Sequence, residues 1–158
     1  MAIDSEGSLL GSDSTVRHFG RQAFITLASD TNRCFVCGAR NTVHSFNDEH
    51  VIPDWLLRRF NLHSRCITLP NKKQFSYGRY TLRCCKPCNS LLGDQVENPI
   101  SQLFTGNFDE ICANLKSFDP SLLYQWLCLL FIKIYLKDRD FRADVDNRSK
   151  SPQLSDEY

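Results

Sequence analysis

The chain has 158 residues, of which 42% are hydrophobic and 23% are charged, and its formal net charge is +1. Such values are ordinary for a globular protein and allow one domain, or one domain with a small extension. The most apolar stretch, 122–136, is too short to cross a bilayer, which takes about 20 apolar residues. The N-terminus has no basic and apolar leader, so no secretory signal is predicted and the expected compartment is the cytoplasm.

Positive charge is concentrated in one part of the sequence. Segment 55–86 holds eight of the 19 Lys and Arg residues and no acid, which leaves 11 bases against 18 acids elsewhere. A basic segment in an otherwise acidic chain is expected to bind phosphate locally, although a solvated basic face is the alternative. The candidate substrate-binding residues are Arg58, Arg59, Lys72, Lys73, Arg79, Arg83 and Lys86.

The first half of the chain predicts short elements joined by turns. Residues 1–16 are rich in Ser, Gly and Asp and predict a flexible N-terminus. Apolar spacing predicts a helix over 18–27 and, more weakly, a strand over 43–51. A short helix is expected after Pro53, and turn residues within 66–84 indicate one or two hairpins.

The second half is predicted to be helical. A helix over 87–97 is expected to end at Asn98-Pro99, and a second helix covers 108–115. The helix over 121–137 is apolar nearly all round, so it must be buried in the core or against a partner. Half of the residues after it are charged, which predicts a frayed tail over 141–158.

Eight cysteines without an export signal favour metal ligation over disulfides. Cys34-x2-Cys37 and Cys85-x2-Cys88 have the spacing with which one turn presents two thiolates to a tetrahedral zinc ion. Cys84 could replace Cys85, but the two-residue gap favours Cys85. Two knuckles with a hairpin between them and a helix after the second are the arrangement of a treble-clef finger. A closed four-thiolate site leaves no position for substrate, so this zinc is expected to be structural.

A second set of residues stands beside the knuckles. The run Glu49-His50-Val51-Ile52-Pro53 lies between them, and Asn89 directly follows the last cysteine. Together with the cysteine pairs, this combination resembles the HNH endonucleases of the His-metal-finger, treble-clef class over about residues 34–97. The resemblance implies an α+β fold, in which a ββα-metal HNH module carries a helical C-terminal appendage. The corresponding organisation is a flexible N-terminus over 1–16, a nuclease module over 17–98, an appendage over 99–140 and a charged tail over 141–158.

The resemblance also implies an activity and its residues. His50 corresponds to the general base, and an imidazole suits that role because it is mostly neutral at pH 7 yet able to take a proton. Glu49 and Asn89 correspond to the ligands of a catalytic ion, and their hard oxygen donors suit Mg²⁺ or Mn²⁺. The implied function is metal-dependent hydrolysis of phosphodiester bonds in nucleic acid, with DNA the expected substrate, leaving 3′-hydroxyl and 5′-phosphate ends.

One family residue has no clear counterpart. The middle Asn, which orients the base, falls by spacing near Tyr80, and Asn71 is an alternative at a turn. His63 is a second-choice base.

Two other functions therefore stay open: a zinc-knuckle module that binds nucleic acid without catalysis, and a protein-interaction module. In the latter the helix over 121–137 would mediate self-association or bind a partner protein.

Overall fold

The N-terminal part forms a small antiparallel sheet followed by a helix. This computed structural model describes residues 2–28, 30–144 and 151–154. The elements are β1 (Ala2–Ile3), β2 (Leu9–Leu10), β3 (Val16–His18) and α1 (Arg21–Ala28). The backbone N–H of Gly20 donates to the buried Ser8 hydroxyl at 2.9 Å, which ties the start of α1 to the sheet. Composition did not indicate these strands, because each is only two or three residues long.

The central unit is a hairpin with a helix directly after it. Strand β4 (Phe46–His50) pairs antiparallel with a later strand, Thr81–Cys85, so that Phe46 lies opposite Cys85 and His50 opposite Thr81. The following helix begins at Lys86, with Pro87 in its first turn, where a missing N–H costs nothing. That helix packs against β4. The predicted strand and the helix after the second knuckle are therefore both present.

The connection between the two strands of this hairpin contains its own short elements. In chain order they are α2 (Asp54–Arg59), β5 (Cys66–Thr68), β6 (Gln74–Ser76) and a single 3₁₀ turn, Tyr77–Arg79. Strands β5 and β6 pair antiparallel, as the turn residues of 66–84 predict. The strand Thr81–Cys85, β7 in chain order, instead returns to β4.

The helix after the second knuckle does not end where the sequence predicts. It runs as α3 (Lys86–Leu92) into a wider π-helical turn, Gly93–Glu97, and then into α4 (Asn98–Leu103). Asn98 keeps helical backbone angles, with φ −62° and ψ −49°. A proline disrupts a helix at the turn that precedes it. The turn that precedes Pro99 is the wide π-helical turn. The chain therefore stays helical across Pro99.

The C-terminal helices match their predictions closely. Helix α5 (Phe108–Ser117) begins with a capping box between Asn107 and Glu110, and α6 (Pro120–Asp138) begins with the Asp119 side chain accepting from the Ser121 N–H at 2.9 Å. One side of α6 leaves Tyr124, Leu127 and Phe131 exposed. No helix among the described residues is long and apolar enough to cross a membrane.

Within the described residues three apolar clusters make up the core, and α6 contributes to all of them. Leu136 packs with the cysteine cluster, Ile134 with the cluster around Val51 and Tyr80, and Trp126 with Ile100. The helical appendage predicted over 99–140 is therefore part of the core. The fold is α+β, as predicted.

Part of the predicted charged tail also packs. Phe141 and Leu154 are buried in the cluster of Val51 and Tyr80, and the Leu154 N–H donates to the Phe141 carbonyl at 2.7 Å. The remainder of that tail, 145–150 and 155–158, lies outside the described residues. Charge-rich composition did not indicate this contact, because it rests on two isolated apolar residues.

Candidate metal and catalytic centre

Four cysteines from distant parts of the chain converge at one point. The sulfur atoms of Cys34, Cys37, Cys85 and Cys88 all lie within 4.8 Å of one another. The Sγ atoms of Cys37 and Cys85 are 3.8 Å apart. In a tetrahedral site with Zn–S bonds of about 2.3 Å, two sulfurs are about 3.8 Å apart. The four thiols could therefore hold a metal ion such as zinc.

Backbone geometry prepares the first knuckle for this role. Gly38 adopts φ +71°, a conformation that favours glycine, and its N–H donates to the Cys34 carbonyl at 2.9 Å. Burial opposes ionisation of Cys34, but backbone N–H groups of Cys85, Cys37 and Val36 donate to it and lower its pKa to about 6. At Cys34 this favours the thiolate, the form that binds metal, whereas burial raises the pKa of the Cys85 and Cys88 thiols.

Cys84 lies next to this group without joining it. Its Sγ is 3.8 Å from that of Cys34, but the residue is fully buried in the apolar cluster. Burial raises the pKa of the Cys84 thiol, and the nearby Cys34 raises it further. The sulfurs that converge thus include that of Cys85, the cysteine favoured by the spacing, and not that of Cys84. Cys66, on β5, is exposed and lies outside the group.

Glu49 and His50 occupy the end of β4, opposite Leu82 and Thr81. Successive strand residues face opposite sides, and the carboxylate of Glu49 is buried while His50 is half-buried. Oε1 of Glu49 accepts a hydrogen bond from the ammonium group of Lys133 on α6. The same ammonium donates to the main-chain carbonyl of His50 at 3.2 Å.

The Lys133 ammonium is fully buried and also pairs with a second carboxylate. Its Nζ lies 3.0 Å from Oε1 of Glu97, at the end of the π-helical turn. Burial raises the pKa of Glu97; Lys133 opposes that shift and the negative charge of Glu49 adds to it. Two carboxylates thus share one cation, and this Glu49–Lys133–Glu97 cluster ties α6 to β4 beside the predicted base.

Asn89 differs in its hydrogen bonds from Tyr80 and Asn71, the two candidates for the middle Asn of the family. Asn89 is half-buried on α3, one residue after the last knuckle cysteine, and its amide makes no hydrogen bond within the described part of the chain. Tyr80 is buried, and its hydroxyl donates to Asp138. The Asn71 amide donates to the Arg142 carbonyl at 2.7 Å and accepts from the Lys73 N–H at 3.0 Å. Asn71 therefore stabilises its own turn.

The residue whose ring lies beside His50 is His63. The two ring centroids are 5.8 Å apart with an interplanar angle of 84°. The Nε2 atom of His63 lies 3.1 Å from Oδ1 of Asp54, in the first turn of α2. Ligand atoms of His50, Asp54 and His63 all lie within 4.8 Å of one another.

All seven predicted substrate-binding residues are exposed, but they differ in their partners. Arg58 pairs with Asp54 at 2.6 Å, and Arg83 pairs with Asp48 at 3.0 Å. Arg59 donates to the Phe104 carbonyl, and Lys73 lies over the Phe141 ring. No ion pair within the described ranges involves the other three, which are Lys72, Arg79 and Lys86.

Sequence reasoning missed Lys133 and Glu97 and gave no role to Asp54. Lys133 is the lone base within an apolar run, a signal that a buried cation needs a carboxylate partner. Glu97 is the last acid of the predicted helix after the second knuckle. Their meeting depends on how α6 packs against β7 and the π-helical turn, and no local pattern records that.

Comparisons with known proteins give no identification. The chain matches no protein-family model, and neither the curated proteins nor the solved structures contain a significant match.

Proposed function

We propose that this protein is a metal-dependent nuclease of the HNH type, which hydrolyses phosphodiester bonds in nucleic acid, with DNA the expected substrate. The observation that carries the proposal is the β4–β7–α3 unit with the four cysteines gathered at its base. In this treble-clef arrangement a structural zinc ion fastens the start of α3 to the hairpin. The same helix carries Asn89 and packs against β4, the strand that carries Glu49 and His50.

His50 is the general base in this proposal. Its side chain removes the proton of the attacking water, and its half-buried position at the end of β4 leaves room for substrate. The hydrogen bond between Lys133 and its carbonyl fixes the backbone at this residue. A general base at the correct position contributes roughly 10²–10⁴-fold to a rate.

Glu49 and Asn89 are the proposed ligands of the catalytic Mg²⁺ or Mn²⁺. Only Oε1 of Glu49 contacts Lys133, so its second oxygen remains a hard donor, and the Asn89 amide oxygen has no competing partner among the described residues. When bound, the ion would neutralise charge on the phosphate oxygens and on the departing 3′ oxygen. Lys133 holds the Glu49 carboxylate in place and thus acts as a positioning residue.

The metal requirement tests this function. Protein containing zinc as its only metal is incubated with supercoiled plasmid, without added ions and then with Mg²⁺ or Mn²⁺. We expect cleavage only with the added ion, and products whose 5′-phosphates allow ligation. Absence of cleavage with both ions, or equal cleavage without them, would overturn the proposal.

The unpaired bases are expected to hold the phosphate backbone. Because Lys72 and Arg79 have no ion-pair partner in the described ranges, replacing both with Gln should weaken DNA binding at all sequences. The slope of log K against log salt concentration should fall in magnitude by about 2. Salt-dependent binding measurements check this, with Arg40→Gln/Lys116→Gln as the control for two exposed bases outside segment 55–86. An unchanged slope would remove these residues from the binding surface.

A zinc-dependent module that binds nucleic acid without catalysis is the second candidate. The observation favouring it is the buried pairing of Glu49 with Lys133, which satisfies part of the carboxylate that the catalytic ion would use. This module would show the salt-dependent binding above without Mg²⁺-dependent cleavage.

A protein-interaction role of α6, through exposed Tyr124, Leu127 and Phe131, remains a prediction.

A further inference from the structure

We propose that His50, Asp54 and His63 form a second metal site, separate from the four cysteines, and that Zn²⁺ bound there blocks His50 as the general base. The blocking role rests on the proposed nuclease function; the metal site itself does not. The site would take a divalent transition metal and would act as an inhibitory sensor of it.

The donor set determines the class of ion. Two imidazoles and one carboxylate suit Zn²⁺ and its neighbours among the transition metals better than Mg²⁺, which prefers oxygen ligands and keeps its waters. In a tetrahedral site, zinc bound by nitrogen and oxygen at about 2.0–2.2 Å places neighbouring ligands about 3.3–3.6 Å apart. The 3.1 Å between Nε2 of His63 and Oδ1 of Asp54 is slightly shorter than this spacing. The ligand atom of His50 lies within 4.8 Å, so a small ring movement completes the set.

The surrounding backbone holds His63 in position. The Gly78 N–H donates to the His63 carbonyl at 3.2 Å, and the Tyr77 N–H donates to the Arg65 carbonyl at 2.9 Å. A Cβ at Gly78 would meet the His63 carbonyl oxygen at 3.2 Å and Nδ1 at 3.3 Å, so glycine permits this close approach. Asp54 is held in turn by Arg58 at 2.6 Å. Side chains of Asp54 and His63 are 33% and 43% exposed, which leaves the site open to ions from solvent.

Metal binding and base catalysis by His50 exclude each other. A neutral imidazole has one nitrogen with a free lone pair, and the same lone pair either accepts the proton of water or binds the ion. Zinc in this site would therefore stop cleavage even while Mg²⁺ is present. The rival explanation is that Asp54 and His63 form a hydrogen-bonded pair that only orients the His50 ring.

A cobalt titration distinguishes a second metal site from a hydrogen-bonded pair, because the absorption spectrum of bound Co²⁺ depends on its ligands. Protein already loaded with one zinc per chain should bind a further equivalent of Co²⁺ with weak visible bands and no sulfur charge-transfer band. His63→Ala and Asp54→Asn should each weaken this binding by more than about tenfold, because removal of even an outer partner of a metal ligand costs about 10–100-fold. His18→Ala, an exposed histidine on β3, is the matched control and should bind as the wild type does. Retention of the first zinc verifies that each variant is folded.

A second arm measures plasmid cleavage in Mg²⁺ as Zn²⁺ is added. Wild type should lose activity over the concentrations that fill the second site, and His63→Ala should need at least about tenfold more Zn²⁺ to lose its own activity. Absence of a further Co²⁺ equivalent in a protein that cleaves DNA would overturn the inference and leave the nuclease proposal intact. Filling of the second site without loss of cleavage would likewise overturn the inference and leave the nuclease proposal intact. A further equivalent that depends on His63, in a protein that never cleaves, would support the metal site and refute the nuclease proposal.

Discussion

Cys37→Ser is expected to lose its bound zinc and most of its cooperative unfolding transition. Cys37 supplies one of the four converging sulfurs, 3.8 Å from that of Cys85. Structural zinc contributes about 10–16 kcal/mol of apparent binding free energy in small zinc domains, whereas a whole domain is stable by only about 5–15 kcal/mol. Loss of a ligand should therefore remove most of the fold around β7 and α3. Elemental analysis and thermal unfolding followed by circular dichroism measure the two effects.

Cys66→Ser is the matched control, because Cys66 is also exposed and lies outside the cluster. It should retain one zinc per chain and unfold within a few degrees of the wild type. A Cys37→Ser protein with full zinc content and an unchanged transition would refute the four-thiolate site.

Lys133→Ala should destabilise the protein by about 3–5 kcal/mol, the usual cost of removing one partner of a buried ion pair. The substitution leaves Glu49 and Glu97 buried beside each other without their shared cation. It should also impair cleavage, since Lys133 contacts both Glu49 and the His50 carbonyl. Urea unfolding of the purified variant gives the free energy directly.

Lys137→Ala, one turn further along α6, provides the comparison. Lys137 pairs at 3.2 Å with Asp140, whose side chain is exposed, and such pairs contribute less than about 1 kcal/mol. Adding Glu49→Gln and Glu97→Gln to Lys133→Met should recover much of the lost stability, because no unpaired charge then remains buried. A loss below about 1 kcal/mol for Lys133→Ala would mean that the ammonium is hydrated and the cluster is open.

What could be predicted from the sequence depended on local patterns. The cysteine spacing determined which four sulfurs converge, because a two-residue gap fixes the turn that presents both thiols. Apolar spacing predicted α5 closely, and Asp119 with Pro120 in the first turn marked the start of α6. The helix end at Asn98-Pro99 was wrong, because the wide turn over Gly93–Glu97 allows the chain to continue.

Features that depend on long-range packing could not be predicted. Lys133 lies 84 residues after Glu49, and only the packing of α6 on the β4–β7 hairpin brings them together. The same holds for His63, which was given no partner and lies beside both His50 and Asp54. The sequence therefore indicated the two turns of the converging cysteines well and the surroundings of the catalytic candidates poorly.

The most direct test of the central claim compares wild type with His50→Ala on supercoiled plasmid in Mg²⁺. The account predicts a rate lower by roughly 10²–10⁴-fold for His50→Ala, with zinc content and DNA affinity retained and with His18→Ala cleaving normally. Cleavage by His50→Ala within a few-fold of the wild-type rate would contradict it.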